Sequence, residues 1–487
     1  MTNQIANMVA IIMIMILILP GCAVLSPTDA YAPVPTNKAS GVRMPMASRP
    51  SPEKEAAPEG QLTLERSIEI ALANNPEVAA TLWDVSVAGA REDQAKAARW
   101  PTLTYEGSYL KYLSSRPLYE VRYNAQRRIF SKQISRGDVV LKLPLFTGGR
   151  IINEIKAAEL VRLAEENRLS RTRDELIFNV SSTFYGILSQ EKVIDSLKFS
   201  LNAMEEQRKK TAAMLEVAKV AKVDLLRTEV RLADLQQGLE KETNVLDIQK
   251  RLLATLLGLD EKASLKIDGK LTFEKKGFSS EQLVPLALDQ RPDYRAARDK
   301  VEAQAKRVDV ARAGHSPNVN LVGSYGYRGT GAVGVFDDRA TPVPGKPTAQ
   351  NRGPWYDDDG QVGVLLTLPL FEGGRITAKV KEEWAALAAA QERLRKLNLQ
   401  VRQEVEVAVL DVRSSSERVK ATEKAVEQAR ESLRIESLKY SLGSGSITDV
   451  LDAQSALLQT ETTYYRALSD FRTAIARLKL AVGGELS

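Results

Sequence analysis

One cysteine, Cys22, and one histidine, His315, are the whole supply of thiol and imidazole in 487 residues. A disulfide within the chain is impossible, and a Cys/His zinc site cannot be assembled inside one protomer. Any Ser/His/Asp or Cys/His arrangement would rest on His315, which stands in Ala-Gly-His-Ser-Pro at 313–317 and reads as a surface turn residue. No Gly-rich loop followed by Lys and Ser or Thr is present to cradle a phosphate. The chain is therefore not expected to be an enzyme, nor to hold a metal or cofactor. The residues left with chemistry to do are carboxylates. Asp449 and Asp452 are three apart in a helical pattern and share a face. Read alone, they are two solvated acids complementing the positive end of a helix. Multiplied by symmetry, they would form an acidic ring, which favours cations and crowds like charges.

The remaining charge is balanced, with 68 basic and 62 acidic residues giving a net +6. The two signs interleave along Ala-, Leu-, Glu- and Lys-rich stretches, and no basic stripe with interspersed aromatics occurs. Nucleic acid is not an expected partner. Aromatics at 6% and charged residues at 27% suit long packed helices better than a compact sphere.

Residues 8–19 are a run of 12 apolar side chains, shorter than the about 20 needed to span a bilayer as a helix. The run reads as the core of a signal peptide over 1–21. Leu19-Pro20-Gly21-Cys22 after it resembles a bacterial lipobox. That resemblance implies acylation of Cys22, palmitate included, as the first residue of the mature chain. Ala23 in the next position, where an Asp would retain such a lipoprotein, implies sorting to the outer membrane. Residues 22–60 form the lipidated N-terminus and a tether, seven of them prolines, with few large apolar residues.

The body of the chain is an internal duplication. Leu-Lys-Leu-Pro-Leu-Phe-Thr-Gly-Gly-Arg at 141–150 returns as Leu-Thr-Leu-Pro-Leu-Phe-Glu-Gly-Gly-Arg at 366–375, an offset of 225. Upstream the offset is 216, shared by Pro76 with Pro292 and Pro101 with Pro317. Repeat one spans 61–280 and repeat two 281–487. Each is expected to hold two strands, about 102–112 and 137–145 in the first and about 318–328 and 361–370 in the second. A long helical hairpin follows each pair, about 150–258 and 375–482. Pro144, Gly148 and Gly149, with Pro369, Gly373 and Gly374, mark the strand-to-helix junctions, since proline ends pairing and glycine permits a tight turn. The connecting segments differ: 113–136 carries Arg116, Arg122, Arg127, Arg128, Lys132 and Arg136, whereas 328–360 is rich in Gly and Pro and ends in Asp357, Asp358 and Asp359. Strands of about ten residues fit a tilted transmembrane strand, but four cannot close a barrel, whose smallest size is about eight. An open edge in lipid strands unpaired backbone groups, so the chain must oligomerise if these strands cross a membrane.

The paired Leu-Pro-Leu-Phe-x-Gly-Gly motifs, Asn-Asn-Pro at 74–76 and Tyr-Ser-Leu-Gly-Ser-Gly-Ser-Ile-Thr-Asp-Val-Leu-Asp-Ala at 440–453 resemble the TolC-type outer-membrane efflux proteins, lipoprotein branch, over residues 61–484. The resemblance implies a mainly α fold with a small β part. Three chains would build one 12-stranded transmembrane barrel, continued into the periplasm by an α-helical barrel. It implies a passive duct for small molecules, partnered by a periplasmic adaptor and an inner-membrane pump of RND or ABC type that supplies the energy. The helical tips, Ala218-Lys219-Val220 and Leu442-Gly443-Ser444, would meet the adaptor. Asp449 and Asp452 would place six carboxylates at the periplasmic aperture. Asp224 and Tyr440 match the family's gate contacts. Gly445 stands where the family has the gate arginine, a role open to Lys219 or Lys222, and Arg227, the repeat mate of Asp452, could pair with the acids. A duct for one-step protein secretion is the alternative within the family. A coiled-coil spacer lipoprotein without a pore is the alternative outside it, and such a spacer has no need of four matched strands.

Overall fold

A computed structural model describes residues 61–113, 133–260, 265–274, 277–330 and 355–484. The expected signal segment, Cys22 and the tether lie outside the described residues, as do the charged parts of both long loops and the side chains of Asp357, Asp358 and Asp359.

Both repeats open with a short helix and a proline-started helix. Strand β1 (Gln61–Leu62) leads into α1 (Leu64–Asn74), whose start is capped by the Thr63 hydroxyl accepting from the Arg66 amide at 3.3 Å. Helix α2 (Pro76–Ala97) begins with proline, which lacks the amide that a first turn leaves unpaired anyway. Strands β2 (Thr102–Lys111) and β3 (Gln133–Phe146) follow, then α3 (Arg150–Glu216) and α4 (Lys222–Leu256). Strand β4 (Lys266–Ile267) pairs parallel with β1 and ties the end of repeat one to its beginning. Repeat two runs through α5 (Ser280–Gln290), α6 (Pro292–Arg312), β5 (Asn318–Thr330), β6 (Trp355–Thr367), α7 (Arg375–Ser441) and α8 (Ile447–Val482). Helices α3 and α7 are each 67 residues long, roughly 100 Å at 1.5 Å per residue.

The four long strands form one antiparallel sheet in the order β2-β3-β5-β6. Strand alternation sorts their side chains by face. One face carries Leu103, Tyr105 and Tyr109 on β2, Val139, Leu141 and Leu143 on β3, Val319, Leu321 and Tyr325 on β5, and Val362, Val364 and Leu366 on β6. The other carries Thr104, Glu106, Ser108, Arg136, Asp138, Lys142, Asn320, Ser324 and Gln361, with Leu110, Val140, Val322 and Leu365 among them. A mainly apolar face backed by a mainly polar one is what a barrel wall between lipid and water requires. The apolar face is bare in the single chain, with Val362 79% exposed.

Strand β6 ends at Thr367, three residues short of the expected 370. Thr367 pairs with Asn318, the first residue of β5, so no partner backbone remains for Leu368. Pro369 could not donate to a ladder in any case. In β3 the equivalent Pro144 stays within the strand, opposite Asn320, and the register shifts between Pro144 and Phe146.

The duplication persists in the packing. Leu176, Val180 and Leu253 are buried in the core of repeat one, and their mates Val401, Val405 and Leu478 are buried in the core of repeat two. A third core beside the tips joins all four long helices, with Val193 and Met204 from α3, Leu235 from α4, Tyr440 from α7, and Ile447 and Leu451 from α8. Helix α3 packs between α4 and α8, and α8 packs on α7, which leaves α4 and α7 at the two edges of the array.

Candidate functional site

The strand-to-helix junctions repeat to within a degree. Gly148 and Gly149 have φ of 62° and 82°, and Gly373 and Gly374 have 61° and 83°. The second glycine of each pair is the N-cap of α3 or α7. Left-handed backbone is nearly free for glycine and costs other residues about 1 kcal/mol or more, which is why Gly-Gly-Arg marks the start of both long helices.

At the far ends of the hairpins the two tips are built alike from different residues. Gly443, at φ 76°, closes the second tip, with the Ser444 amide donating back to the Lys439 carbonyl at 3.0 Å. Ala218 occupies the equivalent place at φ 53°, and the Lys219 amide donates to the Met214 carbonyl at 2.9 Å. Ala218 is the one non-glycine with positive φ among the described residues. Ala218, Lys219, Leu442, Gly443 and Ser444 are exposed and Val220 is half-buried, so the first tip presents a lysine and the second a leucine to its surroundings, each beside small residues.

Helix α8 starts from a capping box. The Ser446 hydroxyl accepts from the Thr448 amide at 3.1 Å, and the Ser446 amide donates to Asp449 Oδ2 at 3.3 Å. Asp449 therefore has a local duty at the helix start, and its carboxylate is still exposed. Asp452, one turn on, is exposed and makes no ion pair among the described residues. Arg227 turns to Asp224 on its own helix, 4.0 Å away.

Asp224 and Tyr440 do not bond to each other within the chain. Asp224 lies half-buried in the first turn of α4. The Tyr440 ring packs against the third core, and its hydroxyl is buried with no hydrogen-bond partner among the described residues. Neither Lys219 nor Lys222 forms an ion pair among the described residues that could stand in for the arginine absent at Gly445. The bonds joining the two hairpins near the tips are others: Gln454 Nε2 donates to the Ser200 carbonyl at 3.2 Å, buried between α8 and α3, and Arg231 donates to the Ser455 hydroxyl between α4 and α8. No sequence signal marked these four, because Gln and Ser inside a helix carry no spacing rule.

At the opposite end of the hairpins the repeats meet their return helices. Asn75, the N-cap of α2, accepts from the Glu77 and Val78 amides and donates from Nδ2 to the Leu256 carbonyl at 3.0 Å. Its mate Arg291 reaches the equivalent carbonyl, Ala481, at 3.3 Å. Arg291 is 1% exposed and also donates to Asp293 at 2.9 and 2.7 Å and to Glu404 at 2.6 Å. Burial works against both charges of the close pair, yet their mutual hydrogen bonds and attraction win. Arg291 is held above the usual guanidinium range and Asp293 below the usual carboxylate range.

The profile of the outer membrane efflux protein family matches residues 67–259 and 283–484, one stretch in each repeat. Nodulation protein T of Rhizobium leguminosarum bv. trifolii is 24% identical over 85% of this chain and 84% of its own length. Alkaline protease secretion protein AprF of Pseudomonas aeruginosa is 25% identical over 85% of this chain and 83% of its own length. The crystal structure of the outer membrane protein VceC of Vibrio cholerae superposes with a TM-score of 0.71 at 21% identity, covering 86% of this chain and 96% of that one.

Proposed function

Because the chain belongs to the outer membrane efflux protein family, and is thus an outer-membrane channel with a periplasmic helical part rather than an enzyme, we propose that three copies form the exit duct of a tripartite efflux system. The observation that carries this reading is the four-stranded sheet, mainly apolar on one face and mainly polar on the other, with two unpaired edges and two matching helical hairpins. Closing that sheet with copies of itself satisfies the edge backbone and leaves a polar lumen. A periplasmic adaptor docks at the tips, on Ala218, Lys219 and Val220 and on Leu442, Gly443 and Ser444. An inner-membrane pump supplies the energy. Asp449 and Asp452 form the aperture ring, with Cys22 as the lipid anchor. The cargo is small molecules. AprF, a secretion protein by its name, supports protein export as the second reading.

The experiment is single-channel current from the purified protein in a planar bilayer, together with light scattering in detergent. Discrete, cation-preferring steps from a three-chain particle support the duct. A particle of three chains that stays silent even after both tips are excised would refute it in favour of a spacer.

A further inference from the structure

Where α8 of repeat two packs on α3 of repeat one, a cleft of about 570 Å³ opens between them, bordered by the start of α1 and by Glu274 on the connector between the repeats. Its apolar lining includes Ile68, Ile177, Phe178 and Ile475. Charged side chains of both signs line it as well. Glu65 on α1, Asp174 on α3 and Glu274 are acidic, whereas Arg472 and Lys479 are basic and stand seven apart on one face of α8.

These charges do not neutralise one another. Glu65, Asp174, Glu274, Arg472 and Lys479 form no ion pair among the described residues. Arg171, close to Asp174, is taken by Glu175 at 2.7 Å and by the Leu480 carbonyl at 3.1 Å. Burial holds the half-buried Asp174 carboxyl above the usual carboxylate range, against the pull of Arg171. Arg472 donates one Nη to the Thr272 hydroxyl, while its Nε is buried with no partner among the described residues. Charges partly withdrawn from water cost free energy that a counter-charge would recover. Here the two signs stand on different elements, with the cleft between them. The duplication does not impose this pattern, because the repeat mates of Asp174, Arg472 and Lys479 are Leu399, Asp247 and Ala254. One chain supplies the whole lining, and the edge helices α4 and α7 take no part in it. Asp174 comes 24 residues after Arg150, the first residue of α3, roughly 36 Å along the helix at 1.5 Å per residue. At that distance from the sheet a lipid headgroup does not reach the cleft, so its ligand is water-soluble.

We propose that this cleft binds a short peptide with free ends and an apolar side chain, its ammonium against Asp174 and its carboxylate against Arg472 and Lys479. An arginine holds a carboxylate best through two parallel hydrogen bonds, and Arg472 has the Nε donor uncommitted. The volume falls within the range of small-molecule sites, about 300–1,000 Å³, which pair an apolar lining with a few placed polar groups. The site is complete within one chain and does not depend on the duct reading.

The test is isothermal titration calorimetry of the full-length protein in lipid nanodiscs with leucyl-leucine, its N-acetyl form and its C-terminal amide. The expected result is saturable binding of the free dipeptide, one per chain, and binding about tenfold or more weaker for either capped form. Asp174→Asn should weaken the free dipeptide to a similar extent and leave the N-acetyl form unchanged, because that form has no ammonium for the carboxylate to meet. Lys479→Gln should weaken the free dipeptide and leave the amide unchanged; Lys479 is exposed, so its replacement spares the packing, and helical circular dichroism checks both variants. Three results each overturn the proposal: no saturable binding at millimolar dipeptide, equal binding of free and capped forms, or binding that emerges only when residues 485–487 are deleted, which would give the cleft to the chain's own residues.

Discussion

Replacing Arg291 by Met removes the one buried cation at the start of repeat two while keeping most of its volume. Four hydrogen bonds go with it, two to Asp293, one to Glu404 and one to the Ala481 carbonyl. Breaking a buried ion pair from one side costs about 3–5 kcal/mol, because the stranded charge stays buried. Glu404 is half exposed and can turn to water, and Asp293 keeps the Tyr294 amide at 2.9 Å and the favourable end of α6. These retained interactions put the expected loss at the low end, about 3 kcal/mol. The assay is urea unfolding of the detergent-solubilised protein, followed by helical circular dichroism. Acidity supplies an internal control. In the native protein Asp293 has a depressed pKa, so its contribution is complete above the ordinary carboxylate value, about 4, and is lost only as pH falls through the lower folded value. In Arg291→Met burial acts on Asp293 without its cation, so the carboxyl protonates earlier and sheds its penalty. The gap between the two proteins should therefore narrow as pH drops from neutral toward about 4. Arg291→Met with Asp293→Asn should recover most of the loss at neutral pH. A gap under about 1 kcal/mol, or one that widens on acidification, would refute the assignment.

Asp449→Asn keeps a side-chain oxygen for the Ser446 amide, so with Asp452→Asn it should lower cation preference without unfolding the tip; an unchanged reversal potential in a salt gradient counts against the acidic ring. Tyr440→Phe removes a buried hydroxyl that has no partner among the described residues, so it should stabilise by about 1 kcal/mol and leave channel conductance as it was; a rise in conductance would mean that the hydroxyl is a lock after all. Ala218→Gly relieves a left-handed alanine and should raise the unfolding midpoint, worth about 1 kcal/mol, which a chemical denaturation series resolves.

How much of this was legible in the sequence depended on whether one residue type could meet a local demand. The starts of α3 and α7 at Arg150 and Arg375 follow from Gly-Gly pairs that only left-handed backbone explains. The four strands and the tips were legible for similar reasons, through alternation and through equal spacing between the repeats. The end of β6 was not, because Leu368 has a perfectly good strand side chain and lacks only a neighbour. Nor was Arg291, whose mate Asn75 does the same work by a different bond. A short amide reaches the Leu256 carbonyl directly, whereas a guanidinium reaching Ala481 arrives with a charge that needs Asp293 and Glu404 beside it.

The gate shows the same limit more sharply. Asp224 and Tyr440 stand at the spacing that the family resemblance attaches to a gate, yet spacing along a helix does not say which way a hydroxyl ends up. Here the Tyr440 ring fills the third core, and its oxygen is sealed by the chain's own atoms, so a neighbouring copy cannot reach it unless the tip rearranges. A Cβ at Gly445 would fall 2.9 Å from Lys439 Cβ and 3.1 Å from the Tyr440 amide nitrogen. Any longer side chain at 445 would have to push the last turn of α7 away. The close packing at Gly445 and the buried Tyr440 hydroxyl thus belong to the same tightly folded tip. The tip folds tightly on itself, and the two hairpins are tied by Gln454 and Ser455, within a turn of Asp452 on α8, and by Arg231 on α4.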